Sequence, residues 1–377
     1  MRADALKVLH VYRTYFPDPP GGLQEAIRQI CLSVKPFGID NIIFTLSPNP
    51  EPSELEPEEA RVVRCRSWAA PASCDLGGVS AFTCFHQLAR EADVIHYLFP
   101  WPFGDVLHQV IRPRRPAVLT YISDIVRQRW LGAAYAPLMW KVFWRMRAIV
   151  ANSSIYARTS PVLSHASVRD RVRVIPLGID ERSYPKTGDD QVFLRLGIGI
   201  EDPFFLFIGV LRYYKGLHHL VRAAAKVGAR IVIAGSGPEE GALRQRVGRC
   251  AVQNVIFAGQ VSEKEKISLL RHCRALVLPS HLRAEAYGMV LVEAAMFGKP
   301  MISCEIGTGT SLVNAHQETG FIVPPGDPAA LASAMNRLLV DEALSHRMGS
   351  AARLRYDRLF SADVLGREYA QLFRDVA

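Results

Sequence analysis

Phe204-Phe-Leu-Phe-Ile-Gly-Val-Leu-Arg-Tyr-Tyr-Lys-Gly216 decides the architecture. Phe204–Val210 is an unbroken apolar run, as a strand buried on both faces requires. It breaks into a polar loop carrying Arg212 and Lys215, and helical sequence follows through Lys226. The same strand-then-helix unit recurs downstream, with strands expected at Arg230–Ala234, Val255–Ala258, Ala275–Leu278 and Pro300–Ser303. Upstream, Leu6–Tyr12, Asn41–Leu46, Asp93–Leu98, Ala117–Ile122 and Ala148–Ala151 form a second series of the same kind. Strands alternating with helix-length segments mean doubly wound α/β units. Two series in 377 residues, two to three times a usual domain length, predict two Rossmann-like domains.

The break falls after Ile175-Pro-Leu-Gly-Ile-Asp180, where Glu181 to Asp190 turns polar and carries Pro185 and Gly188. The expected domains are therefore 1–180 and 203–360. The segment 361–377, amphipathic over Ala362–Phe373, is expected to pack back on the first. Ligands of open α/β sheets bind beyond the carboxyl ends of the strands, so two such domains facing each other would enclose one deep cleft.

Composition narrows the classes. A hydrophobic share of 49% and a charged share of 21% fit a chain with packed cores rather than a disordered one. No apolar run is long enough to span a bilayer, and Met1–Lys7 has no signal-peptide character. The seven cysteines include no C-x-x-C pair, so neither a zinc site nor a disulfide framework is expected. Cytoplasmic residence follows as the expectation. A net charge of +9 implies an anionic partner: nucleic acid, membrane phosphate or a nucleotide-linked substrate. Nothing resembles a nucleic-acid-binding module, and the basic stretch 125–148 is too apolar for a phosphate tract.

Three stretches carry candidate chemistry. Arg212 and Lys215 sit just after a strand, where two fixed cations can neutralise a diphosphate. Gly235-Ser-Gly-Pro238 follows another strand and nearly spells G-x-G-x-x-G, but Glu240 occupies the last glycine's place and would face the pyrophosphate. A tight turn serving packing is the plainer reading, with Gly237 bordering a ligand as the other. The third stretch, Leu278 to Pro300, ends a strand and starts a helix near Gly288. There the free N–H groups of Gly288, Met289 and Val290 offer an anion site. Glu285 before that helix and Glu293 within it can reach different ends of a ligand, and carboxylates suit paired hydroxyls.

Together these motifs resemble a retaining glycosyltransferase of the large family 4, of GT-B fold, over essentially the whole chain. They are E-x7-E (Glu285…Glu293), R-x-x-K-G (Arg212…Gly216), the Gly21-Gly22 loop after the first strand, and the G-S-G-P turn. The resemblance implies that Arg212 and Lys215 bind the diphosphate of a nucleotide-sugar and stabilise the leaving group. It places Glu285 on sugar hydroxyls and Glu293 on the ribose, and implies no cofactor and no divalent metal. Catalysis would then be electrostatic, with cations and helix amides stabilising charge on the β-phosphate and Glu285 fixing the sugar ring. Asp124 and His96 are the candidates for the acceptor side.

Within the family, His10–Pro17, Ser123–Gln128 and Glu305–Ser311 look closest to mannosyl- and rhamnosyltransferases of bacterial O-antigen assembly. Such enzymes imply a GDP-sugar donor, a polyprenyl-diphosphate-linked saccharide acceptor and the cytoplasmic face of the inner membrane. Ile122 departs from the pattern, because many relatives carry there a histidine that bonds the donor's 6-hydroxyl. A buried hydroxyl facing isoleucine costs about 1–3 kcal/mol, so a 6-deoxy donor, GDP-D-rhamnose, is expected over GDP-mannose. A UDP-sugar transferase or a nucleotide-sugar epimerase of the same architecture is the alternative. The segment 125–148 holds Arg127, Arg129, Lys141, Arg145 and Arg147 among Trp130, Tyr135, Trp140, Phe143 and Trp144. Trp140/Trp144 and Lys141/Arg145 would each stack on one flank of a helix. That suits an anionic membrane surface, or alternatively the core face of a closing helix.

Overall fold

The computed structural model describes residues 5–18, 22–70, 75–124 and 129–377, the side chains of 129–134 excepted. The chain divides into two compact units, Met1–Asp180 with Ala362–Ala377, and Glu181–Ser361.

The first unit is built on β1 (Leu6–Val11), β2 (Ile39–Ser47), β3 (Glu54–Leu55), β4 (Arg61–Ala69) and β5 (Leu76–Gly77). It continues with β6 (Val94–Phe99), β7 (Ala117–Tyr121), β8 (Ala148–Ala151) and β9 (Val172–Val174). Their order is β3-β4-β2-β1-β6-β7-β8-β9, with β5 also on β4. Only the two-residue β3 and β5 run antiparallel to their neighbour. The second unit has β10 (Phe204–Ile208), β11 (Arg230–Ala234), β12 (Val255–Gly259), β13 (Ala275–Leu278), β14 (Met301–Cys304) and β15 (Gly320–Val323). These six, all parallel, are ordered β12-β11-β10-β13-β14-β15. In both sheets the winding direction reverses beside the first strand, between β1 and β6 and between β10 and β13. A crevice opens at such a reversal, and ligands of this fold class bind there.

Burial explains the strand sequences. Every residue of β6, β7, β8, β13 and β14 is buried, so an apolar residue is favoured at each position rather than at every second one. The segment Glu181–Asp190, expected as a linker, is instead bonded into the second unit. The Tyr184 hydroxyl donates to Glu293 Oε1 at 2.7 Å, and Ser268 Oγ donates to Asp190 Oδ1 at 2.6 Å. Arg353 meets Glu181 at 2.8 Å. The second unit thus begins at residue 181 rather than 203.

The final helix, Ala362–Val376, belongs to the first unit and buries Leu365, Tyr369, Leu372 and Phe373. It lies against the helix Gly22–Val34 so closely that a β-carbon on Gly366 would stand 2.0 Å from the Ser33 carbonyl. A buried polar chain joins it to the sheet: Asn41, His10, His96, Thr120 and Tyr369, in steps of 3.0, 2.9, 2.7 and 2.9 Å. The proton positions in it can be deduced. Asn41 Nδ2 donates to two backbone carbonyls, so its Oδ1 accepts from His10 Nε2–H. His10 Nδ1 must then accept from His96 Nδ1–H, and His96 Nε2 accepts from the Thr120 hydroxyl. That leaves Thr120 Oγ1 to accept from Tyr369. Both imidazoles are neutral in this scheme. Burial pushes His10 down to about 4, the Asn41 bond offsetting part of the shift, and lowers His96 as well.

This corrects one expectation. His96 is not at a strand end facing an acceptor: it lies inside β6 with no accessible surface. Both its ring nitrogens are engaged, so it fastens the last helix to the sheet.

Candidate functional site

The loops leaving β10 and β13 meet at the reversal of the second sheet. After β10 the chain makes a 3-10 turn, Tyr213–Lys215, ended by Gly216 at φ 71°. A left-handed residue is needed there, and a side chain would not fit. A β-carbon on Gly216 would lie 2.0 Å from the Pro279 carbonyl in the loop after β13, which glycine alone permits. His281 N–H also donates to the Tyr214 carbonyl at 3.0 Å. The two loops are therefore stitched together by backbone contacts.

This contact brings Lys215 onto Glu285, seventy positions apart in sequence. Lys215 Nζ pairs with Glu285 Oε2, and both side chains are nearly buried. Ser280 Oγ donates to the same Oε2 at 3.1 Å, and Thr308 Oγ1 to the Glu285 carbonyl at 2.8 Å. Burial by itself would lower the Lys215 pKa, but the charge and hydrogen bond of Glu285 outweigh it, and the pKa ends above the usual lysine value. Lys215 is thus held as a cation. Arg212, on the same loop, is exposed and makes no ion pair among the described residues. Its charge is close enough to bear on Lys215. One fixed and one available cation therefore stand at the crevice.

The helix Met289–Met296 starts beside them, capped by Gly288 at φ 80°. Its first N–H groups, at Met289 and Val290, have no intrahelical acceptor. Glu305, after β14, bonds the Gly307 N–H at 2.9 Å and the Ser311 hydroxyl at 2.8 Å. Arg283 reaches the Gly307 carbonyl at 2.6 Å. The expected Glu305–Ser311 stretch thus braces the loop that carries Glu285.

Glu293 is held apart from this pair. Its Oε1 accepts from Tyr184 and, at 2.9 Å, from Lys266 Nζ. Lys266 also meets Glu263 at 2.7 Å. Burial would lower the Lys266 pKa, but Glu293 and Glu263 together raise it. The sequence offered little sign of Lys266 or Tyr184: Glu263-Lys-Glu-Lys266 reads as a solvated charge run, and Tyr184 as part of a linker. Gly237 lies where a β-carbon would be 2.6 Å from the Leu211 backbone. Its turn is pinned by Leu211 N–H on the Ser236 carbonyl and by Glu239 N–H on the Leu211 carbonyl. The G-S-G-P turn therefore buttresses the loop that presents Arg212.

In the first unit, Ile122 follows β7 directly and is buried, with its N–H on the Phe99 carbonyl. Asp124 Oδ1 accepts from Tyr121 at 3.0 Å and Ser160 at 2.7 Å, and its N–H donates to Tyr156. These bonds fix the loop after β7 and make Asp124 a brace there. Gly22 opens the helix Gly22–Val34. Gly21, residues 125–128 and the side chains of Arg129 and Trp130 lie outside the described residues.

The helix Arg129–Phe143 ends near the basic aromatic cluster. Trp140 and Trp144 were expected on one flank but part company. Trp140 packs on His165 and Phe143, with ring centroids 4.7 and 6.1 Å away, whereas Trp144 is 59% exposed. The reason is local: after the Trp144 N–H to Trp140 carbonyl bond, the chain tightens to i−3 bonds at Arg145 and Met146. Lys141, Arg145 and Arg147 are exposed on the same stretch as Trp144, and Arg169 and Arg173 are exposed on the stretch leading into and through β9. Arg171 ties the two stretches together through the carbonyls of Phe143, Trp144 and Met146.

Comparison with known proteins puts these features in a family. Residues 20–183 match the family described as Glycosyltransferase Family 4, and residues 191–355 match Glycosyl transferases group 1. The chain is 44% identical to the D-rhamnosyltransferase WbpZ of Pseudomonas aeruginosa, over 95% of this chain and 93% of that protein. It is 39% identical to the O-antigen chain mannosyltransferase C of Escherichia coli, over 98% of each. Among solved structures, sucrose-phosphate synthase of Thermosynechococcus elongatus superposes with a TM-score of 0.79 at 21% identity, over 98% of each chain. HepE of Anabaena in complex with UDP and glucose superposes at 0.77 and 19%, over 98% of this chain and 100% of that one. The fold is GT-B, and the chain belongs to the family 4, group 1 glycosyltransferases.

Proposed function

We propose that this protein is a retaining, metal-independent transferase that moves D-rhamnose or D-mannose from a GDP-sugar to a polyprenyl-diphosphate-linked saccharide in O-antigen assembly. The observation that carries the reading is the Lys215–Glu285 pair at the reversal of the second sheet, with Arg212 beside it. In this reading Arg212, Lys215 and the amides of Gly288, Met289 and Val290 hold the donor diphosphate. They stabilise the charge that grows on the departing β-phosphate, so the transfer needs no metal ion. Glu285 orients both Lys215 and the sugar, and Glu293 takes the ribose through the oxygen that Tyr184 and Lys266 leave open. Gly237 borders the donor. Asp124 shapes the acceptor side by fixing its loop. The two similar transferases support the pathway and the choice of sugars.

Between those sugars, Ile122 favours the 6-deoxy donor. Its buried side chain is hydrocarbon at the sequence position where the family pattern puts a histidine for the 6-hydroxyl. Full-length protein assayed with GDP-D-rhamnose, GDP-mannose and UDP-glucose, with and without a lipid-linked acceptor, tests the proposal. GDP-D-rhamnose is expected to be preferred over GDP-mannose by about tenfold in kcat/KM, with transfer only when acceptor is present. Equal or better turnover with GDP-mannose overturns the sugar preference. Conversion of the donor without acceptor points to the epimerase instead.

The Trp144 cluster supports docking on the cytoplasmic face of an anionic membrane. Among the described residues no helix is long and apolar enough to cross one. Each basic side chain near an anionic surface adds about 1 kcal/mol, and an exposed tryptophan suits the headgroup region. Cosedimentation with phosphatidylglycerol vesicles is expected at low salt. It should be lost in high salt and in a Lys141→Ala/Trp144→Ala/Arg145→Ala variant. Equal binding to neutral vesicles contradicts the docking.

A further inference from the structure

Beside the Lys215 turn, three histidines converge. His218 and His219 lie in the first turn of the helix Leu217–Ala224, and His281 follows β13. A ring nitrogen from each lies within 4.8 Å of the others. The His218 and His219 ring centroids are 4.0 Å apart, and His281 stands edge-on to both at 5.1 and 5.2 Å. Tyr213 stacks flat on His218 at 5.1 Å, fixing that ring.

A polar cluster inside one unit should satisfy its own nitrogens, and this one does not. Nδ1 of His219 and Nδ1 of His281 are both buried and have no hydrogen-bond partner among the described residues. A buried nitrogen left without a partner is destabilising, and here two occur in one cluster. We infer that His218, His219 and His281 form a binding site for a divalent transition-metal ion of the zinc class, with the fourth position left to water.

The geometry suits the ion. Imidazole nitrogens around tetrahedral zinc at about 2.0–2.1 Å are about 3.3 Å from one another, so small ring rotations would close the observed spacing. The chemistry of the donors suits it too. Burial, with the neighbouring histidines and the charges of Arg246 and Arg222, lowers His218 to about 4, and His219 and His281 are also lowered. The rings are therefore in the neutral form that binds metals. Arg222 and Arg246 oppose a cation, so the site is weaker than one built on anionic thiolates. The consequence is structural. His218 and His219 belong to the β10 side and His281 to the β13 side, so an ion would clamp the two loops that Gly216 and the His281–Tyr214 bond already join. It stands apart from the transfer chemistry proposed above and does not depend on it.

Tag-free, full-length protein stripped with a chelator and titrated with CoCl2 tests the site. One cobalt ion per chain is expected, with visible d–d absorption of a four-coordinate ion, displaced by ZnCl2. His218→Ala and His281→Ala should each weaken binding at least tenfold, whereas His165→Ala and His316→Ala should not change it. X-ray absorption on the zinc-loaded wild type, which needs no variant to fold, should show imidazole scattering. Substoichiometric binding, variants that bind as wild type does, or a metal shell without imidazole would each overturn the proposal.

Discussion

Lys215→Ala is expected to lower kcat by about 10²–10³-fold, the usual effect of removing one preorganised group that stabilises transition-state charge. The substitution removes one of the two cations assigned to the proposed diphosphate. It also strands Glu285, whose carboxylate is nearly buried and otherwise meets only Ser280 at 3.1 Å among the described side chains. Breaking one half of a buried pair costs about 3–5 kcal/mol, whereas removing both charges costs far less. The single variant should therefore melt well below wild type, and Lys215→Ala/Glu285→Gln should recover much of that stability without recovering activity. Stability and activity are thus separated by one pair of variants. A double variant as unstable as the single one, or a single variant with near wild-type kcat, contradicts the account.

Glu285→Gln is expected to cost about 10²-fold in kcat and to change the shape of the pH profile. In the wild type, burial works to deprotonate Lys215, and the Glu285 charge more than reverses it. Glutamine keeps the shape and can still accept from Ser280, but the charge is gone and burial acts unopposed. A lysine pKa that falls means the cation is lost at lower pH. The alkaline limb of activity should accordingly move toward neutrality, with activity best preserved on the acid side. A merely structural glutamate would lower activity equally at every pH. An alkaline limb left in its wild-type place would sink the assigned role of Glu285.

Much of the fold was legible in the sequence because its central strands are buried on both faces. Such strands leave predominantly apolar runs, and β1, β6, β7, β8, β10, β11 and β13 all lie where those runs predict. The strands that escaped are those whose burial is hidden. β4, Arg-Val-Val-Arg-Cys-Arg-Ser-Trp-Ala, reads as polar because of its arginines. Yet Arg64 is buried, with its guanidinium on the carbonyls of Pro52 and Asn49 and on Ser47 Oγ. A guanidinium held in place by backbone carbonyls leaves no hydrophobic trace. β9 is three residues at a sheet edge, too short for periodicity to speak, and β15 opens on a glycine, Gly320.

The site was legible residue by residue but not in its connections. Strand-end placement singles out Arg212, Lys215 and Glu285. That Lys215 meets Glu285, while Glu293 meets Lys266 and Tyr184, depends on β10 and β13 being neighbours and on the path of 181–190. Strand order is a non-local property that no window of sequence contains. The reading of His96 failed for a related reason. A histidine in an apolar strand can be hidden in a chain of side-chain hydrogen bonds, and its partners His10 and Thr120, with Tyr369 bonded beyond Thr120, come from three distant segments.

The grip on a diphosphate at the β10–β13 reversal is the claim on which the rest stands, and calorimetric titration of GDP into full-length protein tests it most directly. Charge-assisted hydrogen bonds contribute about 1.5–3 kcal/mol each. Wild-type protein is therefore predicted to bind one GDP, and Arg212→Ala or Lys215→Ala to weaken it by about tenfold or more, with the salt dependence reduced as well. GDP binding that is undiminished in both variants would show that these cations do not hold the diphosphate, and would contradict the account.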